Sequence, residues 1–150
     1  MRVSELMHTP AVTCGPSATI GDVARLMRDR NVGSVLVIDG IGYLAGIVTD
    51  RDVAVRGAGE GRSADVEVEQ IMSRDVATVL VHADVSDAAA IMAKRRVRRL
   101  PVVDEDDTPH GVVAFDDLVR HLGHETDSLV DTVVRQAANV DDPRPGGRAS

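Results

Sequence analysis

Two residues near position 50 have the spacing and chemistry to bind a phosphorylated sugar. Residues 46–52 read GIVTDRD, so Thr49 and Asp52 follow an apolar run that predicts a strand leading into a helix. The Thr hydroxyl and the free N–H groups of a helix start can donate hydrogen bonds to a phosphate. A carboxylate accepts hydrogen bonds from two vicinal hydroxyls, which suits a ribose. This chemistry indicates one cleft in which both side chains face a ligand.

The same segment also has an interpretation that involves no ligand. Thr is a common helix N-cap, and an Asp in the first turn complements the positive end of the helix dipole. Taken alone, Thr49 and Asp52 fit this capping interpretation better than the binding one. The internal repeat reverses that preference, because it gives the segment a counterpart elsewhere in the chain.

The chain contains two copies of one unit at a spacing of 65 residues. VSELM at 3–7 aligns with VEQIM at 68–72, and the match continues without gaps until Asp52 aligns with Asp117. About 14 of roughly 50 aligned positions are identical, which indicates a true repeat. The second copy ends in GVVAFDD, with Ala114 in the position of Thr49. The repeat predicts two related clefts that differ by one hydroxyl.

Each copy shows the same succession of helices and strands. Residues 17–30 and 83–96 place apolar side chains at helical spacing behind the caps Thr19 and Asp84. The runs SVLVID and RLPVVD, followed by YLAGIVTD and HGVVAF, predict two strands per copy. The segments DRDVAVRG and DDLVRHL then predict a short helix. A lead strand, helix, strand, strand and helix in each copy predict an α/β (α+β) fold.

The sequence divides into four predicted segments. Unit 1 covers residues 1–57, a linker rich in Gly and charge covers 58–67, unit 2 covers 68–122 and a tail covers 123–150. Within the tail, residues at about 125–139 carry apolar side chains on one face. We predict a helix there that packs on the body or on a second chain, followed by a disordered end rich in Pro and Gly.

Composition limits the class of protein. The formal net charge of −7 argues against a general affinity for nucleic acid or anionic membranes. Tyr43 and Phe115 are the only aromatic residues, which leaves few candidates for base stacking. The single cysteine, Cys14, cannot form an intrachain disulfide and fits a reducing compartment. No apolar run has the length of a membrane span, so we expect a soluble cytoplasmic protein.

The sequence shows no recognisable catalytic set. Cys14 has no His at a spacing that indicates a nucleophile and base pair, so we predict a small buried residue. The five histidines lack zinc-like spacing apart from a loose pair at His121 and His124, which favours surface or capping roles over a metal site. A Gly-rich phosphate loop and paired catalytic carboxylates are also missing. We predict that the chain is not an enzyme and requires no metal or cofactor.

The ordered motifs resemble the CBS domain family, named after cystathionine β-synthase. GIVTDRD and GVVAFDD each end a unit, and each follows NVGSVLVID or RVRRLPVVD. The resemblance covers residues 3 to about 122. It implies a free-standing pair of units related by a pseudo-twofold axis, with small packed sheets, flanking helices and two clefts. The family's clefts often bind adenine nucleotides or other adenosyl ligands, and free-standing bacterial pairs associate as homodimers.

The resemblance implies roles for the residues at the ends of the two units. Thr49 would hold a phosphate and Asp52 the ribose in the first cleft. Asp117 would keep the ribose contact in the second cleft, where Ala114 offers no hydroxyl. We therefore expect the Thr49 and Asp52 cleft to be the better binder.

Further binding residues are implied on the lead strands and after the second long helix. Arg98 and Arg99 occupy a position that lies near ligand phosphates in the family, and they could serve the Thr49 cleft from across the pair. Lys94, Arg95 and Arg96, just before them, are interpreted as charges at a helix end. Backbone groups at Thr13 and Thr78 would meet the base; a half-buried strand position explains these threonines equally well.

These inferences predict a non-enzymatic regulatory module that senses a ligand. The ligand would be AMP, ADP, ATP, NAD or S-adenosylmethionine, bound in the cleft between the CBS units. The alternative is a structural or interaction homodimer that has lost ligand binding and contacts an unidentified protein partner. Neither nucleic acid nor a membrane is an expected partner.

Overall fold

The computed structural model describes residues 1–122 and 133–137. A 3-10 turn at Val3–Glu5 precedes the elements of the first unit: β1 (Thr13–Cys14), α1 (Ile20–Arg30), β2 (Ser34–Ile38), β3 (Leu44–Thr49) and α2 (Asp50–Asp52). The helical path of α2 continues as a π turn over Val53–Gly57 and a 3-10 turn over Ala58–Glu60. After another 3-10 turn at Val68–Gln70, the second unit has β4 (Val79–Leu80), α3 (Val85–Arg95), β5 (Arg99–Val103), β6 (Pro109–Ala114) and α4 (Phe115–Leu122).

Each unit contains one three-stranded mixed sheet. The strand order is β1-β2-β3 in the first unit and β4-β5-β6 in the second. The first pair of strands in each sheet is parallel and the second pair is antiparallel. The parallel pair is possible because a helix, α1 or α3, carries the chain back between its two strands. Two such α/β units confirm the predicted fold class.

The predicted cap of α1 is present. Thr19 Oγ1 accepts a hydrogen bond from the Asp22 N–H at 3.1 Å, and the Asp22 carboxylate accepts one from the Thr19 N–H at 3.0 Å. These bonds, together with one from Arg25, lower the pKa of Asp22. The reciprocal pair satisfies two backbone groups at the helix start and fixes where α1 begins.

The lead segments, which are the residues before β1 in the first repeat and those from Val68 to the start of β4 in the second, exchange places between the two units. Val3, from the first repeat, is fully buried in the core of the second unit with Leu100 and Val102. Val68 and Ile71, from the second repeat, are fully buried in the core of the first unit. Each lead segment also pairs with a strand of the other unit, as His8 with Val112 and Ser73 with Ile47. Neither core is complete without the other repeat, so the two units form one cooperative body.

Two glycines permit this close crossing. A Cβ atom on Gly46 would lie 2.6 Å from Met72 Sδ and 2.7 Å from the Ser73 carbonyl oxygen. A Cβ atom on Gly111 would lie 2.5 Å from the His8 carbonyl oxygen. Real Cβ atoms do not approach other atoms so closely, because van der Waals repulsion rises steeply there. The glycine that the two repeats share is therefore needed for the exchange of lead segments.

Part of the predicted tail helix packs on the second unit. Residues 133–137 are helical, and Val133 and Ala137 lie beside Met92 of α3. Ala137 is buried, whereas Val134 is 44% exposed. The rest of the predicted helix at 125–139 and the end predicted to be disordered lie outside the described residues. Within the described ranges, no helix has both the length and the apolar character that crossing a bilayer requires.

Candidate functional site

Two cavities lie at the junction of the two units. The larger one, about 320 Å³, is called the Thr49 cleft because Thr49 and Asp52 line it. The smaller one, about 200 Å³, is called the Asp117 cleft. Each cavity combines the end of a sheet from one unit with the lead segment of the other repeat. Thus residues 75–77 line the Thr49 cleft and residues 10–12 line the Asp117 cleft.

Thr49 and Asp52 form a capping box inside the Thr49 cleft. Asp52 Oδ2 accepts hydrogen bonds from the Thr49 N–H at 2.9 Å and from Thr49 Oγ1 at 3.1 Å. Thr49 Oγ1 in turn accepts one from the Asp52 N–H at 3.2 Å. Both interpretations of the sequence therefore hold in part. Asp52 Oδ2 and the Thr49 hydroxyl form a helix cap, and the two side chains lie at the wall of a cleft.

The second oxygen of Asp52 remains available to a ligand. Asp52 is 16% exposed, and its Oδ1 lies 3.9 Å from Arg56 Nε, which is an ion-pair distance and too long for a hydrogen bond. No described residue donates a hydrogen bond to this oxygen. A partly buried carboxylate oxygen in this situation suits a ligand hydroxyl, because a new hydrogen bond stabilises its charge.

The Thr49 cleft is locally positive although the chain is acidic. Four arginines and two aspartates line it, whereas the formal net charge of the chain is −7. The arginines are Arg51, Arg96, Arg98 and Arg99. Clustered guanidinium groups at a cavity wall attract phosphate and can bind two of its oxygens at once. The electrostatics of this cleft therefore favour an anionic ligand.

Arg98 and Arg99 lie at the Thr49 cleft, as predicted, and carboxylates hold each in position. Arg98 donates a hydrogen bond to Asp116 Oδ1 at 3.1 Å, and its guanidinium lies 5.1 Å from the centre of the Phe115 ring. Arg99 lies 3.9 Å from Asp50 Oδ1 and lines both cavities. Their binding role stays a prediction.

Arg96 lies at a helix end, as predicted, and it also lines the Thr49 cleft, which the sequence pattern did not indicate. It is the residue that terminates α3, and its φ of 54° is left-handed. The equivalent residue in the first unit, Asn31, has a φ of 51°. Asn adopts this conformation more readily than Arg, which meets a steric penalty of about 1 kcal/mol. The sequence contains one hint of this difference, which is the alignment of Arg96 with Asn31 at the repeat spacing.

The carboxylate of Asp117 already has partners on both oxygens. His8 Nε2 lies 3.0 Å from Oδ2, and Arg120 donates a hydrogen bond to Oδ1 at 3.2 Å. The Ala114 N–H adds a longer bond of 3.3 Å to Oδ2. Asp117 is 11% exposed. Its predicted ribose contact stays a prediction, but a ligand there would compete with His8 and Arg120.

Thr13 and Thr78 lie beside the clefts, and the residues that precede them supply the walls. Val12 lines the Asp117 cleft and Ala77 lines the Thr49 cleft. Thr13 is an exposed residue of β1, and β4 begins just after Thr78. A contact of the Thr13 or Thr78 backbone with a base stays a prediction. The residues of these segments that line the cavities, Val12 and Ala77, each come one residue earlier in the chain.

Most histidines pair with carboxylates at the surface. His82 Nδ1 lies 3.1 Å from Glu105, and His110 Nε2 lies 2.8 Å from Asp104 Oδ2. The hydrogen bond with His110 is the largest cause that lowers the pKa of Asp104. Among the described residues, no group of three or more His, Cys, Asp or Glu side chains is placed to hold a metal ion. His124, of the loose pair, lies outside the described residues.

We expect Cys14 to react slowly with thiol reagents in the folded protein. Burial, with a smaller effect of the Asp22 charge, raises the pKa of its thiol to about 11. Since the thiolate is the reactive form, labelling by Ellman's reagent at pH 8 should be roughly 100-fold slower than for a free cysteine. The same chain unfolded in guanidinium is the control. Equal rates for the folded and unfolded chains would show that the thiol is not protected.

The chain belongs to the CBS domain family, which it matches over residues 3–58 and 68–124. It is 36% identical over 125 residues to CBS domain-containing protein YhcV of Bacillus subtilis, covering 83% of this chain and 88% of that one. Hypoxic response protein 1 of Mycobacterium tuberculosis is 30% identical over 119 residues, covering 79% and 82%. The predicted family is therefore confirmed.

A solved structure connects this fold with adenosyl ligands. The CBS domain pair of protein MJ0100 superposes with a TM-score of 0.76 at 27% identity, covering 84% of this chain and 98% of that one. That pair was crystallised in complex with 5′-methylthioadenosine and S-adenosyl-L-methionine. This chain also covers 88% of YhcV, which leaves no room in that relative for a separate catalytic domain.

Proposed function

We propose that this CBS pair is a non-enzymatic sensor that binds an adenine nucleotide in the Thr49 cleft. One observation carries the proposal: the open Oδ1 of Asp52 shares a cavity of about 320 Å³ with four arginines. A hydroxyl acceptor beside a cluster of guanidinium groups suits a ribose joined to phosphate. The cavity volume is within the range of small-molecule sites.

Each part of the ligand has a matching group in the cleft. Asp52 Oδ1 accepts from a ribose hydroxyl, and the Thr49 hydroxyl turns from Asp52 Oδ2 to the first phosphate. The arginines receive any further phosphates. The adenosyl ligands of the MJ0100 pair support the adenosine part of the proposal. The positive cleft favours AMP, ADP, ATP or NAD over S-adenosylmethionine, whose sulfonium group is cationic.

Binding at this place would couple the ligand to the arrangement of the two units. The cleft takes Thr49 and Asp52 from one unit and Arg98 and Arg99 from the other. A ligand that contacts both units stabilises the arrangement in which these groups converge. We propose that a homodimer in the cytoplasm transmits this change to a partner. The dimer, the location and the partner all stay predictions.

A structural or interaction protein without a ligand is the second candidate. The capping box satisfies Thr49 without a ligand, and Asp117 is bonded to His8 and Arg120. If neither cleft bound a ligand, the pair would act only through contacts between its surface and another protein. The two candidates differ in one measurable property, which is whether a nucleotide stabilises the fold.

Thermal shift with a ligand panel separates these candidates. The panel contains AMP, ADP, ATP, NAD and S-adenosylmethionine at millimolar concentration, with adenosine and tripolyphosphate as controls for the two halves of the ligand. A nucleotide present at 100 times its Kd stabilises the fold by about 2.7 kcal/mol, which raises the melting temperature by about 5 to 10 °C. The absence of a shift with every nucleotide would favour the structural candidate.

Replacing Arg96 by Asn should stabilise the fold and weaken binding. Asn suits the left-handed conformation at this position, so the free energy of unfolding should rise by about 0.5 to 1 kcal/mol. Loss of one guanidinium should weaken ATP binding about tenfold and AMP binding less. Lys94→Asn removes the same charge from an exposed helix position outside the cleft and serves as the control. Unchanged ATP affinity in Arg96→Asn would exclude Arg96 from the site.

A further inference from the structure

The described part of the tail lies in a groove on the second unit. We call residues 133–137 the tail segment, and we call the surface under it, formed by α3 and the start of α4, the tail groove. Ala137 is 9% exposed and lines a narrow cavity together with Ala93 and Phe115 of the groove. The cavity measures about 10 Å³, which holds no more than about one water molecule. The tail segment therefore fills the groove almost completely.

The first unit has no such groove at the equivalent place. With the repeat spacing of 65 residues, Ala93 corresponds to Arg28 and Phe115 corresponds to Asp50. The side chain of Arg28 is 71% exposed and that of Asp50 is 64% exposed. Covering these charges with an apolar helix would cost free energy, because they would lose their contact with water. The two repeats thus differ in a way that suits the tail segment to the second unit.

Arg98 belongs both to the tail groove and to the Thr49 cleft. It lines the two cavities, and its guanidinium carbon lies 5.1 Å from the centre of the Phe115 ring. Asp116 accepts a hydrogen bond from it at 3.1 Å. The equivalent residue in the first unit is Gly33, which has no side chain to offer. The tail segment, the Phe115 ring and the Arg98 guanidinium therefore connect the tail with the wall of the proposed nucleotide site.

We propose that the tail segment is a positioning element for Arg98, and that its docking and the binding of nucleotide phosphates stabilise each other. The inference rests on the proposed function and adds the part of the molecule that responds to the ligand. A docked segment restricts the Phe115 ring, and the ring restricts the guanidinium that stacks on it. Arg98 then meets the phosphates with less loss of side-chain freedom. Since coupling between two sites is reciprocal, bound phosphate also holds the segment in its groove.

Hydrogen exchange on the full wild-type chain tests this coupling without a variant. Saturating ATP should slow the exchange of the backbone amides in the tail segment about fivefold, the low end of couplings between two sites. Adenosine has the same base and ribose but no phosphate, so it should leave this exchange unchanged. Equal slowing by adenosine would mean that the effect does not depend on the phosphates, and it would overturn the inference.

Ala137→Gln should displace the tail segment and weaken ATP binding. The nearly filled groove has no space for the longer polar side chain. In titration calorimetry the Kd for ATP should rise about fivefold, by the same factor with which ATP slows the exchange. Val134→Gln is the matched control, because it places the same side chain on a residue of the same segment that is 44% exposed. This control should keep the wild-type Kd.

A double-mutant cycle shows whether the effect depends on Arg98. Arg98→Ala alone should weaken ATP binding, and adding Ala137→Gln to it should cause no further loss. ATP should also no longer slow exchange in the tail segment of Arg98→Ala. Two independent, additive losses would mean that the tail segment acts on binding by another route, which contradicts the inference.

The outcomes also separate this inference from the proposed function. If the wild-type chain binds neither AMP nor ATP, the proposed function fails and the inference fails with it. If ATP binds but neither changes the exchange of the tail segment nor responds to Ala137→Gln, nucleotide binding stands and the inference alone is wrong. Tighter ATP binding in Ala137→Gln would show that the docked segment opposes the ligand, which also overturns it. A loss of ATP affinity in Ala137→Gln, absent from Val134→Gln and from the Arg98→Ala background, supports it.

Discussion

Asp52→Ala should abolish the thermal shift caused by AMP or ATP, whereas Asp117→Ala should leave most of it. Asp52 has one carboxylate oxygen without a hydrogen bond from a described residue, and four arginines line the same cleft. Both oxygens of Asp117 already have partners in His8 and Arg120. Loss of a charged acceptor for a ribose should weaken nucleotide binding by about 100-fold, as expected for one or two charge-assisted hydrogen bonds. Titration calorimetry on both variants measures the difference.

The control for Asp52 must account for its second role, which is to close a capping box with Thr49. Asp22 has the same role with Thr19 at the start of α1 and lines neither cleft. Asp22→Ala should therefore lower stability by about 1 kcal/mol, the usual effect of losing a cap, without a change in Kd. If Asp52→Ala bound AMP as tightly as Asp22→Ala does, Asp52 would be a cap alone and the proposed site would be wrong.

The parts of this molecule that the sequence predicts well are those with local causes. Helix α1 begins directly after its cap, Thr19, because the partner of Thr19 in the capping box, Asp22, is three residues away. The strands follow β-branched runs, and the repeat shows which two segments are equivalent. Thr49 and Asp52 come together for the same local reason. The repeat and the family resemblance together also placed Arg98 and Arg99 at the Thr49 cleft, as the structure has them.

The features that the sequence did not predict depend on contacts between distant residues. His8 reaches Asp117 across 109 positions of the chain, and no local pattern encodes that pair. The exchange of the lead segments has the same origin, since Val3 and Val68 look like ordinary apolar residues until their burial in opposite units is known. Arg96 lies at the end of α3, as predicted, but its place at the Thr49 cleft was not predicted, because a helix-end charge and a ligand-facing charge have the same sequence pattern. Only the tertiary arrangement distinguishes them.

Replacing Gly46 by Ala should destabilise the fold by about 2 to 3 kcal/mol, because the crossing lead segment cannot move away from the added methyl group without repacking. The new Cβ would lie 2.7 Å from the Ser73 carbonyl oxygen, which is held in a backbone pair with Ile47. The melting temperature should fall by about 5 to 10 °C. Gly111→Ala should have a similar effect, because its Cβ would meet the His8 carbonyl oxygen at 2.5 Å.

Two comparisons show whether these losses come from the crossing itself. Gly15→Ala adds the same methyl group where no atom lies within 4 Å, so its stability should change by less than about 1 kcal/mol. The Gly46 and Gly111 variants should also differ in binding, because Ser73 lines the Thr49 cleft and His8 lines the Asp117 cleft. We expect Gly46→Ala to weaken AMP binding in addition to stability, and Gly111→Ala to lower stability alone. A Gly46→Ala variant as stable as Gly15→Ala would mean that the lead segment is not held against β3, and that this wall of the nucleotide site is not fixed by the exchange.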